Sequence, residues 1–190
     1  MIDSISRKNN DYIKTFTEEN SVPLSLFEDS KFFKFITDIV IDEEKTKNGK
    51  KKRQTEIKLN SPVKDDGEWL YLITINNRIV KIGGTRKGLR ARFGSYLCGY
   101  HIEKNRKSGK ASETNKYVYN TLCSYLKKGY KVKYYGYKLP IEKETRNMFG
   151  EETEIHPQYF HAYESKLLDK FKKKYNYLPF LNQNSDPEYR

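Results

Sequence analysis

The sequence predicts an α+β fold: a small antiparallel three-stranded sheet flanked by helices. Three observations carry this. Leu70 to Ile82 reads as a β-hairpin, with aliphatic and β-branched runs on either side of Asn76-Asn77. Leu89, Phe93 and Leu97 recur at four-residue spacing, as a helix with one apolar face requires. Further on, Tyr130 to Lys138 (YKVKYYGYK) alternates like a strand, and Glu164, Leu168 and Phe171 fall on one face of a last helix.

Residues 1–66 read as an N-terminal helical appendage and a basic linker, and residues 67–190 as the main domain. In the appendage, Ser30 is placed to cap a helix whose apolar face is Phe32, Phe35, Ile36, Ile39 and Val40. That face either packs on the main domain or pairs two chains. The linker Lys45 to Arg53 (KTKNGKKKR) is either a solvated connection or an arm for phosphates.

The hairpin sets a parity test. Asn tolerates positive φ, so Asn76-Asn77 suits a turn. Side chains alternate faces along a strand. A two-residue loop pairs Leu72 with Lys81 and leaves Tyr71 on the opposite face. A three-residue loop pairs Ile73 with Lys81, and Tyr71 then shares its face. Gly83-Gly84 is expected to break the second strand and Thr85 to cap the next helix. Arg92 and Tyr96, four apart, share a face of that helix, and Gly99 is placed to end it.

Lys104 to Lys116 is polar and interrupted by glycine, which predicts a loop at the rim of any site formed here. A second helix follows over Asn115 to Leu126 and stops at Gly129. Pro140 to Pro157 is expected to be irregular, with Met148-Phe149 tucked inward. The last helix starts near Phe160 or Ala162 and runs to about Tyr175. Its Glu164 is either a first-turn acid favoured by the helix dipole or a metal ligand. The three histidines are scattered, without the spacing of a zinc site. The two cysteines, Cys98 and Cys123, are expected to be reduced and at least half-buried.

The stretch Trp69 to Gly99 resembles the core of the GIY-YIG nuclease superfamily. Leu70-Tyr71 stands where the family has I-Y, and Lys81-Ile82-Gly83 where it has Y-I-G. Gly84-Thr85 with Leu89 and Arg92 matches its G-x-T...L...R run, and Tyr96 falls where many members carry His or Tyr. Ala162-Tyr163-Glu164 precedes the last helical run as the family's glutamate does, and Pro179 to Asn182 resembles its closing P-x-x-N. The first glycine of the family is missing, and lysine replaces the second tyrosine. The lysine is similar to a subgroup of type II restriction endonucleases, as are Ser95 to Gly99 and Met148-Phe149-Gly150. The resemblance implies a sequence-specific DNA endonuclease that uses one divalent metal, Mg²⁺ or Mn²⁺, held by Glu164. It also implies that Arg92 grips the phosphate, that Tyr96 supports it, and that Tyr71 or Lys81 acts as the base. It further implies double-stranded DNA as substrate, a homodimer, and a cognate methyltransferase. Repair, recombination or homing nucleases, and a non-catalytic nucleic-acid-binding module, are the other readings.

Charge agrees with such a substrate. The chain of 190 residues carries a net +12, with −5 over residues 1–44, +5 over 45–66 and +12 over 67–190. A basic body rich in tyrosine suits a phosphate backbone. No apolar run approaches the roughly 20 residues of a membrane span, and the polar N-terminus has no signal-peptide pattern. The expected location is cytoplasmic.

Overall fold

The computed structural model of the protein describes residues 21–42, 46–47, 50–51, 56–63, 66–104 and 113–182. Its centre is one antiparallel sheet of six strands, not three. In chain order the strands are β1 (Val22–Pro23), β2 (Lys34–Ile41), β5 (Ile57–Leu59), β6 (Trp69–Ile75), β7 (Arg78–Thr85) and β8 (Val132–Lys138). Between β2 and β5, β3 (Thr46–Lys47) and β4 (Lys50–Lys51) form a separate two-residue ribbon within the basic run. The sheet order is β1-β7-β6-β8-β2-β5, so the expected three strands are its middle.

The additional strands come from the segment expected to be a helical appendage. Residues 34–41 form no helix; they pair with β8 and β5. Ser30 lies inside a 3₁₀ turn, Glu28–Phe32, and caps nothing. The physical reason lies in Ile36, Thr37, Ile39, Val40 and Ile41. Five β-branched residues in six favour the pleated conformation, and pairing with β8 supplies the hydrogen bonds. Residues 1–20 and most of the basic run lie outside the described residues.

Helices cover both faces. On one, α1 (Leu89–Lys104) and α2 (Glu113–Lys127) enclose Tyr71, Ile73 and Tyr134 with Phe93, Tyr96, Val118 and Leu122. On the other, α3 (Phe160–Tyr175) sets Phe160, Leu167 and Phe171 against Leu70, Leu72 and Ile82. The hairpin strands are buried on both faces, which is why their sequences are continuously apolar rather than alternating.

Helix ends follow local chemistry. α1 continues past Gly99 to Lys104, so that glycine does not stop it. α2 ends at Lys127, and Gly129 just beyond it has a φ of +83°, with Gly129 N–H bonding Leu126 O and Tyr130 N–H bonding Tyr125 O. α3 has no cap of its own; Glu68, just before β6, accepts the Tyr159 amide over 2.9 Å. The stretch expected to be irregular holds a second hairpin, β9 (Glu144–Met148) and β10 (Glu151–Ile155). Its turn residues Phe149 and Gly150 have φ of +57° and +89°. Phe149 is fully exposed, not tucked inward. Cys98 is exposed rather than buried, and both cysteines are free. Among the described residues no helix is long and apolar enough to cross a membrane.

Candidate active site

The site is built on the β6–β7 hairpin. Its turn is Asn76-Asn77 with φ of +48° and +60°, a two-residue connection of the kind that matches strand twist. By itself this loop would pair Lys81 with Leu72. A bulge prevents it: Ile75 pairs Arg78, Thr74 pairs Ile79, and Ile73 then pairs Lys81, which leaves Val80 as the extra residue. Lys81 therefore shares a face with Ile73 and Tyr71. The odd register arises in the strand, not in the loop.

Two glycines make room for the site. Gly83 lies opposite Tyr71, and a Cβ there would sit 2.2 Å from Tyr71 Cζ and Oη. Gly84 faces the other way, where a Cβ would stand 2.8 Å from Phe160 Cδ2 and 3.1 Å from Glu164 Oε2. Neither glycine breaks the strand, since β7 runs through both to Thr85. Their value is the absent side chain: one admits the phenol, the other admits α3. Gly136 on β8 flanks Tyr71 from the opposite side.

Thr85 ends β7 and does not cap the helix. Its Oγ1 accepts Lys87 N–H and donates to Gly88 O, each over 3.3 Å, closing a turn. Gly88, at φ +85°, then accepts the first helical bond, from Arg92 N–H over 3.1 Å. This fixes the phase of α1. Arg92 Nε donates to Tyr71 Oη over 3.0 Å, Tyr71 and Tyr96 share a short hydroxyl–hydroxyl bond, and the Arg92 guanidinium lies 4.8 Å from the Tyr96 ring centre. Tyr71 and Tyr96 are wholly buried, while Arg92 is half-buried and faces both.

Lys81 is 5% exposed, and its Nζ donates to Leu181 O over 3.1 Å. That carbonyl belongs to a 3₁₀ turn, Phe180–Asn182, anchored by Asn182. Asn182 Oδ1 accepts Ile82 N–H over 2.9 Å and its Nδ2 donates to Ile82 O over 2.8 Å. The side chain thus occupies the edge of β7 as a partner strand would. Two residues on, the Gly84 amide bonds the Glu164 carboxylate. Glu164 reaches this edge from the first turns of α3 and faces Lys81 and Arg92 electrostatically. Tyr71, Arg92 and Tyr96 thus touch one another, and Lys81 and Glu164, held along residues 81–84 of β7, lie within electrostatic reach of Arg92 and of each other.

Burial dominates the ionisation. It pulls the Lys81 amine down to about 8, with Glu164 opposing and Arg92 assisting. It pushes the Tyr71 phenol well above 10, and Tyr96 adds to this while Arg92 opposes it. It raises Tyr96 as well. Glu164 is raised by desolvation, against the pull of Lys81, Arg92 and the Gly84 amide. Arg92 is held firmly cationic, chiefly by Tyr71.

Among the described residues no group of three or more His, Cys, Asp or Glu side chains converges. The donor set at the site is one carboxylate, a hard oxygen ligand. It fits an ion that keeps most of its water and takes further oxygens from a phosphate, as Mg²⁺ does. Asn182 enters from sequence only through the P-x-x-N resemblance. Its two backbone bonds make it the clamp that holds the Lys81 strand.

No family model matches the chain, and no curated protein matches it in sequence. Solved structures similar to the chain include two nucleases. One is the restriction endonuclease HPY188I in complex with product DNA, with a TM-score of 0.53 and 24% identity over 85% of this chain and 86% of that one. The other is a mutant of bacteriophage T4 EndoII, with a TM-score of 0.45 and 22% identity over 76% of this chain and 88% of that one. The chain has the fold of HPY188I.

Proposed function

We propose that this protein is a DNA endonuclease of the GIY-YIG superfamily, in the subgroup with lysine at the second motif, acting as a type II restriction enzyme. What supports the reading is the Tyr71–Tyr96–Arg92 cluster, with Lys81 and Glu164 within electrostatic reach of its guanidinium. Hydroxyls, an amine of lowered basicity, a fixed guanidinium and one carboxylate are the groups that phosphodiester hydrolysis uses. The net +12 supplies affinity for a polyanion. HPY188I, which shares the fold, was captured with product DNA.

Arg92 grips the scissile phosphate through the guanidinium edge not given to Tyr71. Tyr71 orients the attacking water, and Tyr96 fixes Tyr71. Lys81, whose amine is neutral in a useful fraction of molecules near pH 8, takes the water's proton. The water oxygen bonds to phosphorus, the bond to the leaving oxygen breaks, and solvent returns a proton to that oxygen. Glu164 would hold one divalent ion, Mg²⁺ or Mn²⁺, which when bound offsets the negative charge that develops on the phosphate and leaving oxygen. Cutting both strands calls for a homodimer on a near-palindromic site, and a cognate methyltransferase would protect host DNA.

The test is incubation of the purified protein with plasmid and phage DNA plus Mg²⁺. Discrete fragments support the reading. DNA retention with no cutting under any divalent ion would leave only a binding module.

A further inference from the structure

Two surface features have no part in the site. The first is the β9–β10 hairpin. Its strands pair with each other, and its root is tied down where Tyr159 Oη donates to Glu144 Oε1. Its tip stands in solvent: Phe149 is fully exposed and Met148 is 43% exposed. A type I′ turn of this kind prefers Asn or Asp before Gly, yet a bulky ring sits there at φ +57°. A lone two-stranded hairpin is also marginal in water. The second feature is an aromatic patch on the α3 side of the sheet, beside that helix. Phe35 packs edge-on to Tyr135 at 5.8 Å between ring centres, and Phe32 lies 6.4 Å from Tyr137. Phe32 and Phe35 are 55% and 52% exposed.

The two features are complementary. Residues 141–156, the hairpin and its flanks, carry five acids against two bases, on a chain whose total is +12. The patch is bracketed by Lys31 and Lys34, with Lys31 Nζ 5.2 Å from the centre of the Phe32 ring. Within the hairpin, Lys143 and Arg146 are already paired with Glu154 and Glu144, at 2.8 and 2.6 Å. Glu151 and Glu152 beside the tip therefore set its sign. Next to a DNA phosphate these acids would repel; against a basic aromatic surface they attract.

We propose that the occupant of the patch is the hairpin of a second copy of this chain, with Phe149 and Met148 seated on Phe32, Phe35 and Tyr137. The hairpin leaves the sheet directly after β8, the strand that carries Tyr135 and Tyr137. A two-fold axis near the end of β8 brings each hairpin to the other chain's patch, giving two identical contacts and a closed dimer. The inference deepens the dimer in the proposed function, but its readout is mass, so it succeeds or fails whether or not the chain cuts DNA.

The experiment is sedimentation velocity of the full chain over a concentration series, with no nucleic acid. The wild type should be a dimer. Phe149→Ser and Phe35→Ser should each weaken it by about tenfold or more, with circular dichroism spectra unchanged because both rings are at least half exposed in the monomer. The decisive arm mixes the two variants. Each homodimer carries two damaged contacts, whereas the mixed dimer keeps one intact contact, so mixing should restore association that neither variant shows alone. Should either variant misfold, Glu152→Lys should weaken the dimer and Lys34→Glu in the same chain should recover part of the loss. A wild type that stays monomeric, a dimer indifferent to both substitutions, or no gain on mixing would overturn the proposal. So would a Phe149→Ser variant that keeps the dimer but loses DNA affinity, which would give the tip to DNA.

Discussion

Arg92 Nε donates to Tyr71 Oη over 3.0 Å, tying the first helix to the central strand at the point where the chemistry is proposed. Because Tyr71 also pairs with Tyr96, losing Arg92 leaves neither buried hydroxyl without a partner. Arg92→Ala should therefore fold, with its melting temperature little changed, and still lose cleavage by at least about 10²-fold. Arg92→Lys keeps charge but loses the planar fork, and should recover only a small part. Cleavage rates on a single-site plasmid beside thermal melts decide this; a fully active Arg92→Ala would remove the residue from the site.

The glycine pair gives a stability prediction with a built-in ranking. At Gly83 an added Cβ meets the Tyr71 ring at 2.2 Å, and Tyr71 is packed on all sides. Gly83→Ala should cost about 1–3 kcal/mol and displace the phenol, so activity falls with stability. At Gly84 the nearest atoms are Phe160 Cδ2 at 2.8 Å and, at 3.1 Å, Glu164 Oε2 and the Phe160 carbonyl. Relief there means shifting α3, so Gly84→Ala should chiefly weaken the apparent affinity for Mg²⁺ in cleavage assays. Denaturant melts and Mg²⁺ titrations of the two variants should separate these effects.

Much of this arrangement is legible in the residues, and the failures have physical causes. The hairpin, three helices and the strand Val132–Lys138 follow from periodicity alone. Whether Tyr71 and Lys81 share a face is rightly a parity question, but the extra residue lies in the strand rather than in the loop. A bulge at Val80 leaves no mark in an apolar run. Residues 32–40 mimic a helix because Phe32 and Phe35 complete a helical spacing with Ile36, Ile39 and Val40. Those two phenylalanines are exposed and belong to no core, so the spacing is accidental. Asn182 lies 100 residues from Ile82 in sequence, and no local pattern reports a clamp across that distance.

Asn182 can be tested directly. Its amide satisfies both backbone groups of Ile82 in a dry environment. Asn182→Ala leaves a buried donor and a buried acceptor unpaired, at about 1–3 kcal/mol each. Asn182→Asp can still accept from Ile82 N–H but opposes the Ile82 carbonyl, so it should rescue less than half of the loss. Urea unfolding of the three proteins should give the order wild type, Asp, Ala. An alanine variant as stable as the wild type would show that the edge of β7 holds without the clamp.

The buried amine makes stability depend on pH in the direction opposite to the ion-paired surface lysines Lys127 and Lys174, whose amines are raised. Lys81 titrates near 8 in the folded chain, against 10.5 when exposed. Between those values the unfolded chain binds more protons, so raising the pH favours folding; below about 8 the amine is charged in both states and the burial penalty is constant. Above 10 the trend reverses, because Tyr71 and Tyr96 stay protonated only when folded. Comparison with Lys81→Met isolates the amine. From about pH 8 to 10 the wild type should gain on the order of 2 kcal/mol relative to the variant, at about 1.4 kcal/mol per unit of separation. Cleavage by the wild type should rise through the same lower limit as the amine becomes able to accept a proton. Lys81→Arg, charged at every pH in the range, should be inactive throughout. If Lys81→Met shows the same pH slope in urea unfolding as the wild type, Lys81 is not the group that titrates. The proton then has to leave the attacking water by another route.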